Sequence, residues 1–288
     1  MNSQVATLPL KSGAEQRMGT ILLEQGKLRP EDIERVLRVQ KQEGMIFGEA
    51  ARRLGLVTEG DVQQALARQF DYHFVEEGKG KYPRELVAAY DPFSPQVEML
   101  RAVRTHLMQT WIAQGRRALA IMSAGSGEGA SLFAANLAVT FSQLGQRTLL
   151  IDANMRRPRQ HAIFGLTGRQ GLSDILANRA GIETFSSVEG FPHLSLLPAG
   201  TVPPNPLELL GRPGFAELQA SLATRFDVIL IDVPAMAAAS DALAVCSHTG
   251  GVWLVCRKDR ARLGEVRGTT RQLARVGAQV VGSALVEF

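Results

Sequence analysis

The chain has 288 residues, 45% of them apolar and 21% charged, a formal net charge of +4 at pH 7 and two cysteines. That is ordinary globular composition, long enough for one large or two modest domains with cores of their own. No apolar run approaches ~20 residues, which argues against a spanning helix, and residues 1–13 lack the basic-then-apolar order of a secretory leader. Cys246 and Cys256 show no metal-ligand spacing, and so few cysteines suit a reducing cytoplasm. The pI near 9.3 comes from charge spread along the chain. Clusters such as Arg156-Arg157-Pro158-Arg159 and Arg257–Arg262 suit a solvated face or a phosphate. No aromatic residues interleave with them, so nucleic-acid stacking is not indicated.

Arg17–Gln40 and Ile46–Gln69 form a tandem repeat of 24 residues shifted by 29. Gly19 matches Gly48, Gly26 matches Gly55, Leu37 matches Leu66 and Gln40 matches Gln69. Each copy reads as a short helix, a glycine C-cap and a second helix begun near Pro30-Glu31-Asp32 or Thr58-Glu59. Apolar residues recur at three- and four-residue spacing (Leu28, Ile33, Val36, Leu37; Val57, Val62, Leu66), so the helices should pack on one another. One copy could not bury its own face, whereas two together can. The segment resembles the MshEN-like N-terminal domain of type II secretion and pilus ATPases. In some members, two such motifs separated by five residues bind cyclic di-GMP, and Lys41–Met45 is a five-residue spacer. The resemblance implies Arg17, Gly19, Gln40, Gly48 and Gln69 as candidate cyclic di-GMP residues. It departs at Ile46, where the second motif should open with an arginine able to stack on a base and bond a phosphate. The alternative is a helical docking module that keeps the motif for packing.

Gly78–Pro95 is rich in Gly, Pro and charge, carries Tyr82-Pro83 and Asp91-Pro92, and is expected to be a linker between domains at 1–77 and 96–288. All three tyrosines, Tyr72, Tyr82 and Tyr90, lie in or beside it.

From Gln96 onward helical patterns alternate with short apolar runs at Ala118–Ser123, Arg147–Asp152, Leu194–Pro198, Phe226–Asp232, Gly251–Cys256 and Gln279–Val286. Helices fit between them, for example over Leu132–Leu144, Pro206–Thr224 and Ala261–Val276. This predicts an α/β fold, a doubly wound and mostly parallel sheet with right-handed crossovers, preceded by the small helical repeat domain. The first run leads into the glycine-rich turn Ala124–Ser131 and then a helix. Backbone N–H groups and the helix dipole converge there on an anion, so Gly125, Ser126, Gly127, Glu128, Gly129, Ala130, Ser131 and Leu132 form a candidate phosphate cradle of P-loop type. The usual ending is Gly-Lys-Ser/Thr, and here it is Gly129-Ala130-Ser131. Asp152 and Asp232 each end an apolar strand, where a carboxylate can hold Mg²⁺ together with the Ser131 hydroxyl.

The region from Gln96 to Val286 resembles the cytoplasmic kinase domain of bacterial tyrosine kinases (BY-kinases). Glu98-x-x-Arg101-x-x-Arg104 matches the helix that joins subunits into a ring. Ser123–Ser131 matches Walker A, and Leu149–Pro158 matches Walker A′ with its Arg-Arg-Pro extension. Gly171–Leu176 (GLSDIL), Leu197–Leu210 (LPAGTVPPNPLELL) and Val228–Pro234 (VILIDVP) complete the set. With the N-terminal repeat, the whole resembles EpsG-type chain-length-determinant kinases of exopolysaccharide operons. The resemblance implies ATP or ADP with Mg²⁺, Asp152 and Asp232 as catalytic residues, a homo-oligomeric ring through Glu98, Arg101 and Arg104, and a membrane chain-length-determinant (Wzz-like) partner. A cytoplasmic location at the inner membrane, through that partner, goes with it. A MinD/ParA-like positioning ATPase is the runner-up, although Ala124–Gly127 lacks the early lysine of that group.

Three departures from the kinase pattern point one way. Ala130 stands where the family's lysine meets the β- and γ-phosphates, and losing one such preorganised donor costs ~3 kcal/mol. Arg156 or Arg157 is the nearest candidate to replace it. Asn154 replaces the second acid of Walker A′, and an amide cannot take a proton, so a base role falls to Asp152 alone. No tyrosine follows Tyr90, so an acceptor would have to be Tyr72, Tyr82 or Tyr90, and the linker pair is expected to be the accessible one. An autokinase, a cyclic di-GMP sensor on a non-catalytic scaffold and a nucleotide-free adaptor stay open. His106 and His161 read as surface residues, Trp253 as core, and Trp111 as core or interface.

Overall fold

The computed structural model describes residues 13–69, 72–75, 80–238 and 240–287, with side chains from Met18 onward. Two compact units divide at residue 76. The first holds α1 (Gly13–Glu24), α2 (Pro30–Glu43), α3 (Phe47–Arg53) and α4 (Glu59–Gln69). Its repeat symmetry extends to individual hydrogen bonds. Gly26 and Gly55 both take φ of 68°. After them Lys27 N bonds Leu22 O at 2.9 Å and Leu56 N bonds Ala51 O at 3.1 Å, the glycine-closed helix end that releases the chain without a Cβ penalty. The next helices are capped alike: Asp32 accepts from Arg29 N (3.0 Å) and Asp61 from Thr58 N (2.8 Å). Leu22, Val36, Ala50, Ala51 and Ala65 are fully buried between the copies.

The second unit continues with α5 (Val87–Tyr90), α6 (Pro95–Thr110), β1 (Ala118–Ser123), α7 (Ala130–Gln143), β2 (Thr148–Asp152), α8 (Gln160–Ile163), α9 (Leu172–Leu176), β3 (Ser186–Val188) and β4 (Phe191–Leu197). It ends with α10 (Pro206–Leu210), α11 (Pro213–Ala223), β5 (Val228–Asp232), α12 (Asp241–Thr249), β6 (Gly251–Arg257), α13 (Leu263–Arg275) and β7 (Gln279–Val286). The sheet order is β3-β4-β2-β5-β1-β6-β7, parallel except for the β3–β4 pair. β1, β2 and β5 are buried at every residue, as central strands covered on both faces must be. The helix expected over Pro206–Thr224 is two helices. Pro213 brings no N–H and biases Arg212 to an extended backbone (ψ 153°), which breaks the run.

The expected linker is folded for most of its length. Leu86, Ala88 and Ala89 are fully buried, and α7 holds this strap by its backbone. Asn136 accepts from Ala88 N (2.9 Å) and donates to Glu85 O (3.0 Å), while Gln143 donates to Ala88 O (2.9 Å). With α5 and α6 on its outer side, α7 is buried almost all round, which explains why its apolar residues are not confined to one face. Of the linker tyrosines Tyr82 is buried and Tyr90 half-buried. Tyr82 is 7% exposed and donates to Glu189 O (2.6 Å), and Tyr90 donates to Tyr82 O (2.7 Å). Burial and the Glu189 charge push the Tyr82 phenol up to about 12.

Asn136→Ala leaves a buried N–H and C=O of the strap without partners and is expected to destabilise this unit by about 2–4 kcal/mol. Denaturant unfolding should show the loss, with Asn205→Ala on the exposed α10 cap as a near-neutral control.

Candidate nucleotide site

At the carboxyl end of β1 the Ser123 hydroxyl donates to Gly125 O (2.8 Å), and the chain turns through Gly127 and Gly129 at φ of 75° and 88°. α7 then starts at Ala130, so the first-turn N–H groups, which have no intrahelical partner, belong to the loop. Glu128 braces the loop from within. Its Oε1 accepts from Gly125 N (2.9 Å), the Arg257 amide bonds it too, and burial nevertheless raises its pKa above the ordinary carboxylate range. Arg260 packs on the outside of Gly127, where a Cβ would lie 2.9 Å from its Nη2.

A cavity of about 500 Å³ opens over the loop, lined by Ser126, Gly127, Glu128, Gly129, Ala130 and Ser131. Asn154, Arg156, Arg157, Arg159 and the stretch after β5 complete its walls. Gly125 and Leu132 belong to the turn but not to this wall, and the Leu132 carbonyl is taken by Asn136 (3.0 Å). Ala130 presents only a methyl group here.

Parallel pairing of β2 with β5 sets Asp152 directly across from Asp232. Both are buried, at 0% and 1% exposure. Asp152 is saturated by backbone amides: Oδ1 accepts from Asn154 N (3.1 Å), Oδ2 from Arg159 N and Gln160 N (2.9 Å each). It pins the turn after β2. Asp232 Oδ2 accepts from Gln160 Nε2 (2.7 Å), and the Ser131 hydroxyl bonds the same carboxyl. Asp232 Oδ1 is buried with no partner among the described residues. Burial pushes both carboxyls up from their usual range, and the Asp152 charge adds to the rise at Asp232. A buried carboxylate pair with one uncompensated oxygen beside a serine hydroxyl fits a divalent cation; Ser131 and Asp232 would hold it directly, and Asp152, whose oxygens already accept three amides, through water.

Gln160, which the motif spacing does not mark, ties the site together, since the same Nε2 also donates to Ser131 O (2.9 Å). Only the tertiary pairing of two strand ends could have identified it. Arg156 is committed elsewhere. Its Nε and Nη2 meet both oxygens of buried Asp241 at 2.6 and 3.1 Å. GLSDIL meets LPAG through Leu172 N to Pro198 O (2.8 Å) and Ser173 N to Ala199 O (2.9 Å), while Asp174 accepts from Thr201 N (3.0 Å). On α6, Arg101 pairs with Glu98 (2.8 Å), and Arg104 donates to Thr140 O of α7 (2.8 Å), a contact inside its own chain. His106 is exposed with its ring edge-on to buried Trp253, and Trp111 is core.

In the first unit the motif glycines are packing positions. A Cβ at Gly48 would lie 2.8 Å from Val62, and one at Gly19 would lie 3.3 Å from Phe47. Gln40 and Gln69 are half-buried, Ile46 is 66% exposed, and the Arg17 side chain lies outside the described residues.

The sheet, the glycine turn and the two strand-end carboxylates define an α/β domain of P-loop NTPase type. The family model for the cellulose biosynthesis protein BcsQ matches residues 117–261. Tyrosine-protein kinase YwqD of Bacillus subtilis is 31% identical over 202 residues, covering 70% of this chain and 85% of that protein. Tyrosine-protein kinase wzc of Salmonella typhi is 35% identical over 201 residues, 70% of this chain. The chain spans only 28% of the length of wzc. The crystal structure of the chimerical protein CapA2B2 superposes with a TM-score of 0.67 at 30% identity, over 77% of this chain and 97% of that one. The MinD septum-site protein of Pyrococcus horikoshii with Mg-ADP aligns at TM-score 0.52 and 25% identity, over 59% and 69%. The chain belongs to the bacterial tyrosine-protein kinase family.

A carboxyl whose folded-state pKa is raised binds protons more tightly in the folded chain than in the unfolded one. Its stabilisation is therefore complete in acid below about pH 4 and is lost as pH rises from there toward neutrality. Asp232→Asn is expected to flatten that decline. Denaturation curves between about pH 5 and about pH 8 that keep the same slope in the variant would contradict the assignment.

Proposed function

We propose that the chain is a cytoplasmic, kinase-like component of exopolysaccharide chain-length regulation, one that holds a Mg-nucleotide weakly and transfers phosphate poorly or not at all. Ala130 carries this reading. A methyl group lies in the cavity wall at the first helical position, where the resemblance places a lysine. Mg²⁺, when bound, would screen charge on the phosphates, and Ser131, Asp152 and Asp232 are suited to hold it. What remains at the loop is backbone amides, which bind an anion without adding the charge that phosphoryl transfer needs. Asp152 is a poor base as well, because three backbone amides already hold its oxygens.

By this reading the chain acts through assembly. Glu98 and Arg101, paired with each other on α6, are proposed for a homo-oligomeric contact, and a membrane Wzz-like protein brings the complex to the inner membrane. No helix among the described residues is long and apolar enough to cross a membrane. The helical repeat is proposed as a docking module. Packing accounts for Gly19 and Gly48, and an exposed isoleucine replaces the second arginine, so nothing favours cyclic di-GMP over docking. A MinD-like positioning role lacks its early lysine.

Incubated with labelled ATP and Mg²⁺, the natural chain should label its tyrosines at least about 10²-fold more slowly than a lysine-bearing relative. Equal rates would overturn the reading. Calorimetric titration of cyclic di-GMP into the chain should give no heat at high micromolar ligand, and saturable heat would restore the sensor.

A further inference from the structure

A nucleotide's phosphates need a cation in this cavity, and Ala130 supplies none. Four arginines surround the loop. Arg260 lies outside it, against Gly127, and is not part of the cavity wall. Arg156 is part of the wall but neutralises buried Asp241, and diverting it would leave that carboxylate bare.

Arg157 and Arg159 differ from both. They line the cavity with Ala130 and Ser131, their side chains are exposed, and neither has an ion-pair partner among the described residues. Their stems hang from a fixed turn: Arg157 N donates to Asn154 Oδ1 (3.2 Å), and Arg159 N donates to Asp152 Oδ2 (2.9 Å). The bond from Arg159 N to Asp152 holds this turn beside the strand end where Asp152 faces Asp232.

We propose that Arg157 and Arg159 bind the phosphates of a nucleoside di- or triphosphate in this cavity, supplying from the turn after β2 the charge that the P-loop lacks. This rests on the nucleotide reading above and adds which side chains carry the anion. A guanidinium presents paired donors that match phosphate oxygens. Two long, exposed side chains follow the phosphates in ground and transition states alike, so they give affinity without comparable acceleration.

Equilibrium titration of a fluorescent ADP analogue with Mg²⁺ into the full chain tests this. Arg157→Gln with Arg159→Gln should weaken binding about tenfold or more in the natural chain. In an Ala130→Lys background the same pair should cost less than about threefold, because the two sources of charge substitute for each other. Arg157→Lys with Arg159→Lys keeps the charge but not the paired donors and should bind more tightly than the glutamine pair though more weakly than the natural chain, which separates lost charge from lost folding. A loss below about twofold in the natural chain overturns the inference and leaves the nucleotide site standing. Binding by Ala130→Lys alone does the same. If neither the natural chain nor Ala130→Lys binds at millimolar ADP, the nucleotide reading itself falls, and the inference with it.

Discussion

Two carboxylates at adjacent strand ends cannot both ionise in a dry interior without compensation, and the register of β2 against β5 forces that situation on Asp152 and Asp232. The surrounding structure supplies the compensation unevenly. Asp152 receives three backbone amides and becomes a structural pin for the turn that carries the arginines. Asp232 receives the Gln160 amide and the Ser131 hydroxyl and keeps one oxygen without a partner. Gln160 thus spans both strand ends and the first turn of the P-loop helix, so the cradle and the carboxylates cannot shift independently.

That coupling extends outward through α7. The helix begins at the phosphate cradle and is buried along nearly its whole length, so a helix end chosen for its dipole is also the centre of the packing. Asn136 and Gln143 sit on it at polar positions in an apolar environment, and both are spent on the backbone of the strap at residues 85–88. The hydroxyls of the strap tyrosines are likewise spent on backbone carbonyls.

The first unit shows a different economy. Its two copies repeat the same glycine closure and the same aspartate cap, so the conserved-looking spacing within the chain is explained by helix ends and close helix contacts. A ligand is not required to account for Gly19 and Gly48 when Phe47 and Val62 occupy the space a side chain would need.

Strand and helix identity in the second unit was readable because apolar runs of five to eight residues alternate with helical patterns, and local sequence decides that much. The repeat, the glycine-rich turn, Ala130 at its end and the strand-ending aspartates were visible as well, since each lies within a short continuous stretch. The strap was misjudged from its Gly, Pro and charge content, because what folds it is α7, some fifty residues further along. Arg156 looked as available as Arg157 until Asp241, 85 positions away, was seen to claim it. Local propensity and spacing therefore determined the elements and the cradle. Which charges are neutralised, which hydroxyls are buried and which glutamine bridges the carboxylates depend on contacts between distant segments, and only the folded chain decides those.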